Sequence, residues 1–98
     1  MHWILSYDIA PDYLERRGTY RAEHLALARA ALERGDLVLG GALGDPVEAS
    51  MLLFKGETPA QAEAFAHADP YVASGIVTRW RVLPWHTVVG VDAQVAVN

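Results

Sequence analysis

The sequence predicts a ferredoxin-like α+β sandwich, one four-stranded antiparallel sheet carrying two helices, in the order β-α-β-β-α-β. Three observations predict it. Short β-prone apolar runs stand at residues 2–7, 37–43, 50–55 and 76–83. The alanine- and leucine-rich stretch AEHLALARAALER separates the first two runs, and a second helical pattern opening on TPAQ separates the last two. Ninety-eight residues suffice for one core and not for two, so residues 1–98 form a single domain, with 91–98 expected as a tail.

Each element has a local reason. HWILSY is β-prone and is ended by Asp8 and Pro11. The polar, arginine-bearing DYLERRGTYR leads into the first helix, which has strong helix formers and a C′ stop at Gly35. LVLGGAL and SMLLFK read as strands around the turn GDPVEA. In the second helix Thr58 is expected to N-cap, Pro59 to take the first helical position and Gln61 to complete a capping box. IVTRWRVL alternates as the last strand, and WHTVVG after Pro84 extends it.

Composition narrows the function classes. Eight basic against twelve acidic residues give a formal net charge of −4, whereas a nucleic-acid footprint is normally basic, so no nucleic-acid partner is expected. Without cysteine there are no disulfides, thiolate metal sites or cysteine nucleophiles. The longest uncharged apolar stretch, LVLGGALG, is far below the ~20 residues of a membrane span. No basic region precedes the first apolar run, so no membrane association and a cytoplasmic location are expected.

A hydrophobic fraction of 52% is high for so short a chain, and the strands show where it goes. Trp3, Leu5 and Tyr7 oppose Ile4; Leu52 and Phe54 oppose Met51 and Leu53; Trp80 and Val82 oppose Val77 and Leu83. Bulky apolar groups on both faces do not suit a sheet with one wet face. Two sheets packed face to face would cover them, so a homodimer is expected.

The chemistry-bearing residues begin with Asp69. Ala62, Phe65, Ala66 and Asp69 follow i, i+3, i+4, i+7, which places the carboxylate on the apolar face at the negative end of the helix dipole. Two readings stand. Asp69 caps a next short helix with Pro70 at its first position, or it meets a positive or donating group, and one carboxylate has oxygens enough for both. Arg17, Arg21, His24 and Ala28 form one stripe if the first helix starts early enough, with Leu25 and Leu32 as its core contacts. His24 at that border is either a satisfied structural group or a proton shuttle near neutral pH. The arginines are a solvated face or anion holders. Gly40-Gly41 inside a strand marks a bulge or the close approach of a ligand. Tyr7 is a packed tyrosine or a substrate-binding hydroxyl. His2, His67 and His86 share no ligand spacing with His24, so no metal site is expected, and no nucleotide or cofactor fingerprint is present.

Taken together, SYD in the first strand, R-x-x-H-L at 21–25, G-x-L-x-x-G-G at 35–41, A-D-P-Y at 68–71, the following Gly75-Ile76 and the closing V-x-P-W resemble the YCII-related family. The resemblance implies a dimeric α+β barrel and a His–Asp site that falls on His24 and Asp69. The family's best-defined chemistry is dehydrochlorination of a chlorinated hydroxyquinol, and with no cofactor motif in the sequence a cofactor-independent enzyme is expected. His24 would move a proton during elimination, dehydration or isomerisation of a small cyclic or phenolic molecule, oriented by Asp69. Tyr71, which closes its motif, joins Tyr7, Arg17, Arg21, Gly40 and Gly41 as expected substrate contacts. A non-catalytic dimeric ligand-binding module is the alternative. A metal held by His24 and Asp69 would lack a third ligand.

Overall fold

The chain folds as β1 (His2–Ile9), α1 (Tyr13–Glu33), β2 (Leu37–Leu43), β3 (Ala49–Lys55), α2 (Ala60–Ala68), α3 (Pro70–Ala73) and β4 (Val77–Trp85). In this computed structural model, which describes residues 1–95, the strands pair in the order β2-β3-β1-β4, all antiparallel. This is the ferredoxin-like arrangement, with α3 as a short third helix. Register follows from alternation: Leu5 lies between Leu52 and Val82, and Tyr7 between Ser50 and Trp80. Their shared face joins Phe54, Phe65, Ala66, Tyr71 and Ile76 in the buried core.

Helix α1 starts at Tyr13, so it takes in most of the polar segment that the sequence places ahead of it. Gly18 lies inside it and weakens that turn by roughly 0.5–1 kcal/mol relative to alanine. Packing offsets the loss, since Tyr13 is buried and Tyr20, Leu27 and Ala28 lie against the core. The inward line runs Tyr13, Tyr20, Leu27, Ala31. Leu32 is therefore not the core contact expected of it: it is exposed, one position past that line.

Helix α2 begins at Ala60, with Pro59 as its cap position. Thr58 Oγ1 accepts from the Ala60 amide at 3.3 Å, and among the described residues no Gln61 side-chain bond closes a capping box. At the far end Asp69 turns to an extended conformation (φ −75°, ψ 122°), ending α2 and opening α3.

Two irregularities alter the strand faces. Asp8 pairs with Arg79 but Ile9 with Val77, which leaves Thr78 as an extra residue in β4. This bulge reverses the alternation there and turns Val77 into the core, on the opposite side from Leu83, against expectation. In β2 the irregularity falls between Leu37 and Leu39, not at the glycine pair, which is regularly paired with Leu52 and Met51. Pro84 is accommodated because β4 is an edge strand.

The helix-free face carries Ile4, Met51 and Leu53, with Leu39, Leu43, Leu83 and Trp85 among the exposed large apolar residues. Past β4 the chain returns across one end of this face. The Gln94 and Val95 amides donate to the Thr87 carbonyl, and buried His2 meets Thr87 Oγ1 through Nδ1 at 2.8 Å. Of the expected tail, residues 93–95 are tied back by backbone hydrogen bonds, and 96–98 lie outside the described residues. Among those described, no helix is long and apolar enough to cross a membrane.

Candidate active site

The carboxylate of Asp69 is the centre from which the site is built. It is fully buried, a position that is unfavourable for a charge unless it is paired and hydrogen-bonded. Three donors meet it. The Tyr71 amide donates to Oδ1 at 3.0 Å, the first-turn cap of α3. The Tyr7 hydroxyl donates to Oδ2 at 2.7 Å, and His24 Nδ1 lies 3.0 Å from Oδ1 and 2.9 Å from Oδ2. An ionised carboxylate only accepts, so His24 carries its proton on Nδ1 in this arrangement and Nε2 is the nitrogen left free. Cap and imidazole partner are one residue, so both sequence readings of Asp69 hold at once.

Three elements hold the imidazole. Helix α1 presents it, α3 stacks the Tyr71 ring on its face (centroids 3.9 Å apart, 5° between planes), and α2 sets the Phe65 edge against it at 6.1 Å. Its side chain remains 13% exposed, enough for one edge to reach the adjoining cavity. That cavity, of about 260 Å³, lies between α1 and β2.

Arg17, Arg21, His24 and Ala28 all line the cavity, so α1 does start early enough to present the predicted stripe. Gly40, Gly41 and Tyr71 line it too. A Cβ at Gly40 would meet Leu52 at 3.4 Å and the Met51 carbonyl at 3.7 Å, so Gly40 leaves bare backbone on the cavity side, whereas Gly41 pairs with Met51 and would carry a side chain on the other face of the sheet. Tyr7 is placed differently. It is fully buried and lies behind the cavity, its hydroxyl on Asp69 instead of facing a ligand. Sequence reasoning missed Tyr13 and Ser50, which also line the cavity. Ser50 was detectable in principle, because it shares alternation with Leu52 and Phe54. Tyr13 was not, because it lies upstream of the expected helix start.

Electrostatics separate the tyrosines' roles. Burial, reinforced by the Asp69 charge, pushes the Tyr7 hydroxyl far above its ordinary value, so it stays a donor. Burial and the neighbouring Tyr13 also raise the Tyr71 hydroxyl, opposed by Arg21 and Arg17. Among the described residues no three His, Cys, Asp or Glu side chains are grouped to hold a metal ion.

Comparison with known proteins gives three findings. The YCII-related domain family matches residues 1–86. Protein YciI of Escherichia coli O6:H1 and that of Shigella flexneri are each 34% identical over 97 residues, spanning 90% of this chain and 99% of theirs. The structure of 5-chloro-2-hydroxyhydroquinone dehydrochlorinase (TftG) from Burkholderia phenoliruptrix AC1100, in complex with 2,5-dihydroxybenzoquinone, aligns with a TM-score of 0.73. That likeness covers 90% of this chain and 96% of the other at 21% identity, and it is a likeness of fold.

Proposed function

The chain belongs to the YCII-related domain family, and on that premise we propose that it is a cofactor-independent enzyme whose His24 transfers a proton to or from a small cyclic or phenolic substrate. The observation that carries this is the buried carboxylate fixing an imidazole at a cavity wall. With Nδ1–H held by Asp69, Nε2 acts as the base. In an elimination the substrate's proton goes to Nε2 and the leaving group departs with its electron pair. The imidazolium that forms lies against Asp69, which stabilises it without taking the proton. Tyr7 and the Tyr71 amide hold Asp69 in place, and the stacked Tyr71 ring keeps the imidazole from turning. The dehydrochlorinase of like fold makes a hydroxylated ring the first substrate class to try.

The functional unit in this reading is a cytoplasmic homodimer. Its interface is the helix-free face, where Leu39, Leu43, Leu83 and Trp85 present apolar surface that a second copy would cover.

The test measures chloride release from 5-chloro-2-hydroxyhydroquinone, and proton exchange on a panel of hydroxylated rings, for the wild type and His24→Ala. Loss of a general acid–base should slow turnover by about 10²–10⁴-fold. The same substitution leaves buried Asp69 with two donors instead of three and should cost about 1–3 kcal/mol, so the fold is checked by melting before rates are compared. A folded variant with full rate would remove His24 from the chemistry. Tight ring binding with no turnover by the wild type would leave the non-catalytic binding module.

A further inference from the structure

We propose that the cavity beside His24 selects a carboxylate-bearing single ring, held by Arg17 and Arg21, over the neutral ring of the same shape. This rests on reading that cavity as the substrate site and adds the charge and orientation of what enters it.

The lining is one-sided in charge. Arg17, Arg21 and His24 project from one stripe of α1, and no Asp or Glu side chain lines the cavity. The nearby carboxylate, Asp69, is buried behind the imidazole with its oxygens engaged by three donors. Arg16 and Arg34 each lie within 4.0 Å of an aspartate, whereas among the described residues Arg17 and Arg21 have no such partner. This occurs in a chain whose formal net charge is −4, where carboxylates are the commoner sign. Two like charges four apart on a helix repel each other, and an anion between them reverses that unfavourable term. Arg17 is already placed, its guanidinium 5.7 Å from the Tyr13 ring centroid.

The kind of anion follows from chemistry. An ordinary phenol, with a pKa of about 10, is neutral near pH 7 and offers the guanidiniums no charge. A carboxylate is ionised there, and its two oxygens match the planar donor fork of arginine. Size limits the rest. A cavity of about 150 Å³ takes benzene, so the 260 Å³ here admits one ring with substituents. Gly40 of β2, without a side chain, lets the ring lie against bare backbone. Arg21 precedes His24 by one turn of α1, so a carboxylate on the arginines leaves the other end of the ring beside the imidazole.

The experiment is calorimetric titration of the full chain at pH 7 with 2,5-dihydroxybenzoate and with 1,4-dihydroxybenzene, which differ by the carboxylate alone. The carboxylate should bind about tenfold tighter or more, from charge-assisted hydrogen bonds. The preference should shrink in Arg21→Gln and in Arg17→Gln, vanish in the double variant, and weaken with added salt. Arg21 is exposed and Arg17 half-buried at the cavity mouth, so the variants should melt within a few degrees of the wild type. Equal affinity for the two rings, binding of neither, or a preference that survives the double substitution would overturn the proposal. His24→Asn should keep the preference while losing proton transfer, so failure of the acid–base reading and failure of this one give different results.

Discussion

Neighbouring residues of β1 look onto two different surfaces. On the helix side Leu5 and Tyr7 are fully buried, and the one hydroxyl there has its partner in Asp69. On the other side Ile4 meets Met51, Leu83 and Trp85 in an apolar face with no helix over it. Each buried polar group on the covered face is partnered, and among the described residues no buried side-chain nitrogen or oxygen lacks a partner. That face should be sensitive to the removal of a single atom, because each removal strands a partner. The open face has little polar matching to lose and should respond instead to an added charge.

Asp69→Ala should have the largest effect. It orphans the Tyr7 hydroxyl, His24 Nδ1 and the Tyr71 amide together. Each buried donor left unpaired costs about 1–3 kcal/mol, so the three together should cost about 3 kcal/mol or more. For a domain of this size the melting temperature should fall by roughly 10 °C or more. A drop of only a degree or two in calorimetry would mean that the buried cluster contributes little to the fold.

Leu39→Lys tests the open face. Leu39 is 69% exposed, so a lysine there should leave the protomer's circular dichroism unchanged. Sedimentation equilibrium at micromolar concentration should fall from about twice 10.7 kDa to that mass. A wild type that already sediments as a monomer would remove the reason for this face's composition.

Tyr7→Phe should be the mildest. Losing one hydrogen bond to a charged acceptor costs about 1.5–3 kcal/mol at most, less where water can replace it. Its more specific signature is at high pH. The folded-state value for Tyr7 is raised above its ordinary 10.0. The unfolded chain therefore releases that proton first as pH climbs past 10, and stability present below 10 is lost above it. Urea denaturation midpoints between pH 9 and 11 should decline less steeply in Tyr7→Phe than in the wild type. Parallel slopes would place the Tyr7 hydroxyl in ordinary solvent.

Much of this was legible in sequence because it depends on local spacing. The element order came from β-prone runs and capping residues, and the A-x-x-F-A-x-x-D pattern put Asp69 on the inner face of α2. The stripe from Arg17 to Ala28 followed from helical spacing alone. What was hidden was decided elsewhere in the chain. Gly18 weakens its own turn, yet Tyr13 and Tyr20 carry α1 through it by packing on the core. A bulge at Thr78 cannot be seen in an alternating run, and it moved Val77 to the other face. The Tyr7 hydroxyl finds Asp69 across 62 residues of chain, a meeting that only the folded sheet and α3 bring about.

The central claim is that Asp69 holds His24 with its proton on Nδ1, leaving Nε2 free for the substrate. Long-range ¹H–¹⁵N correlation NMR of the histidine rings tests it without knowing the substrate. For neutral His24, a protonated Nδ1 and a bare Nε2 are expected, with the Nε2 resonance moving when 2,5-dihydroxybenzoate is added. A neutral His24 protonated on Nε2, or a ring whose nitrogens interchange freely between the two forms, would contradict it.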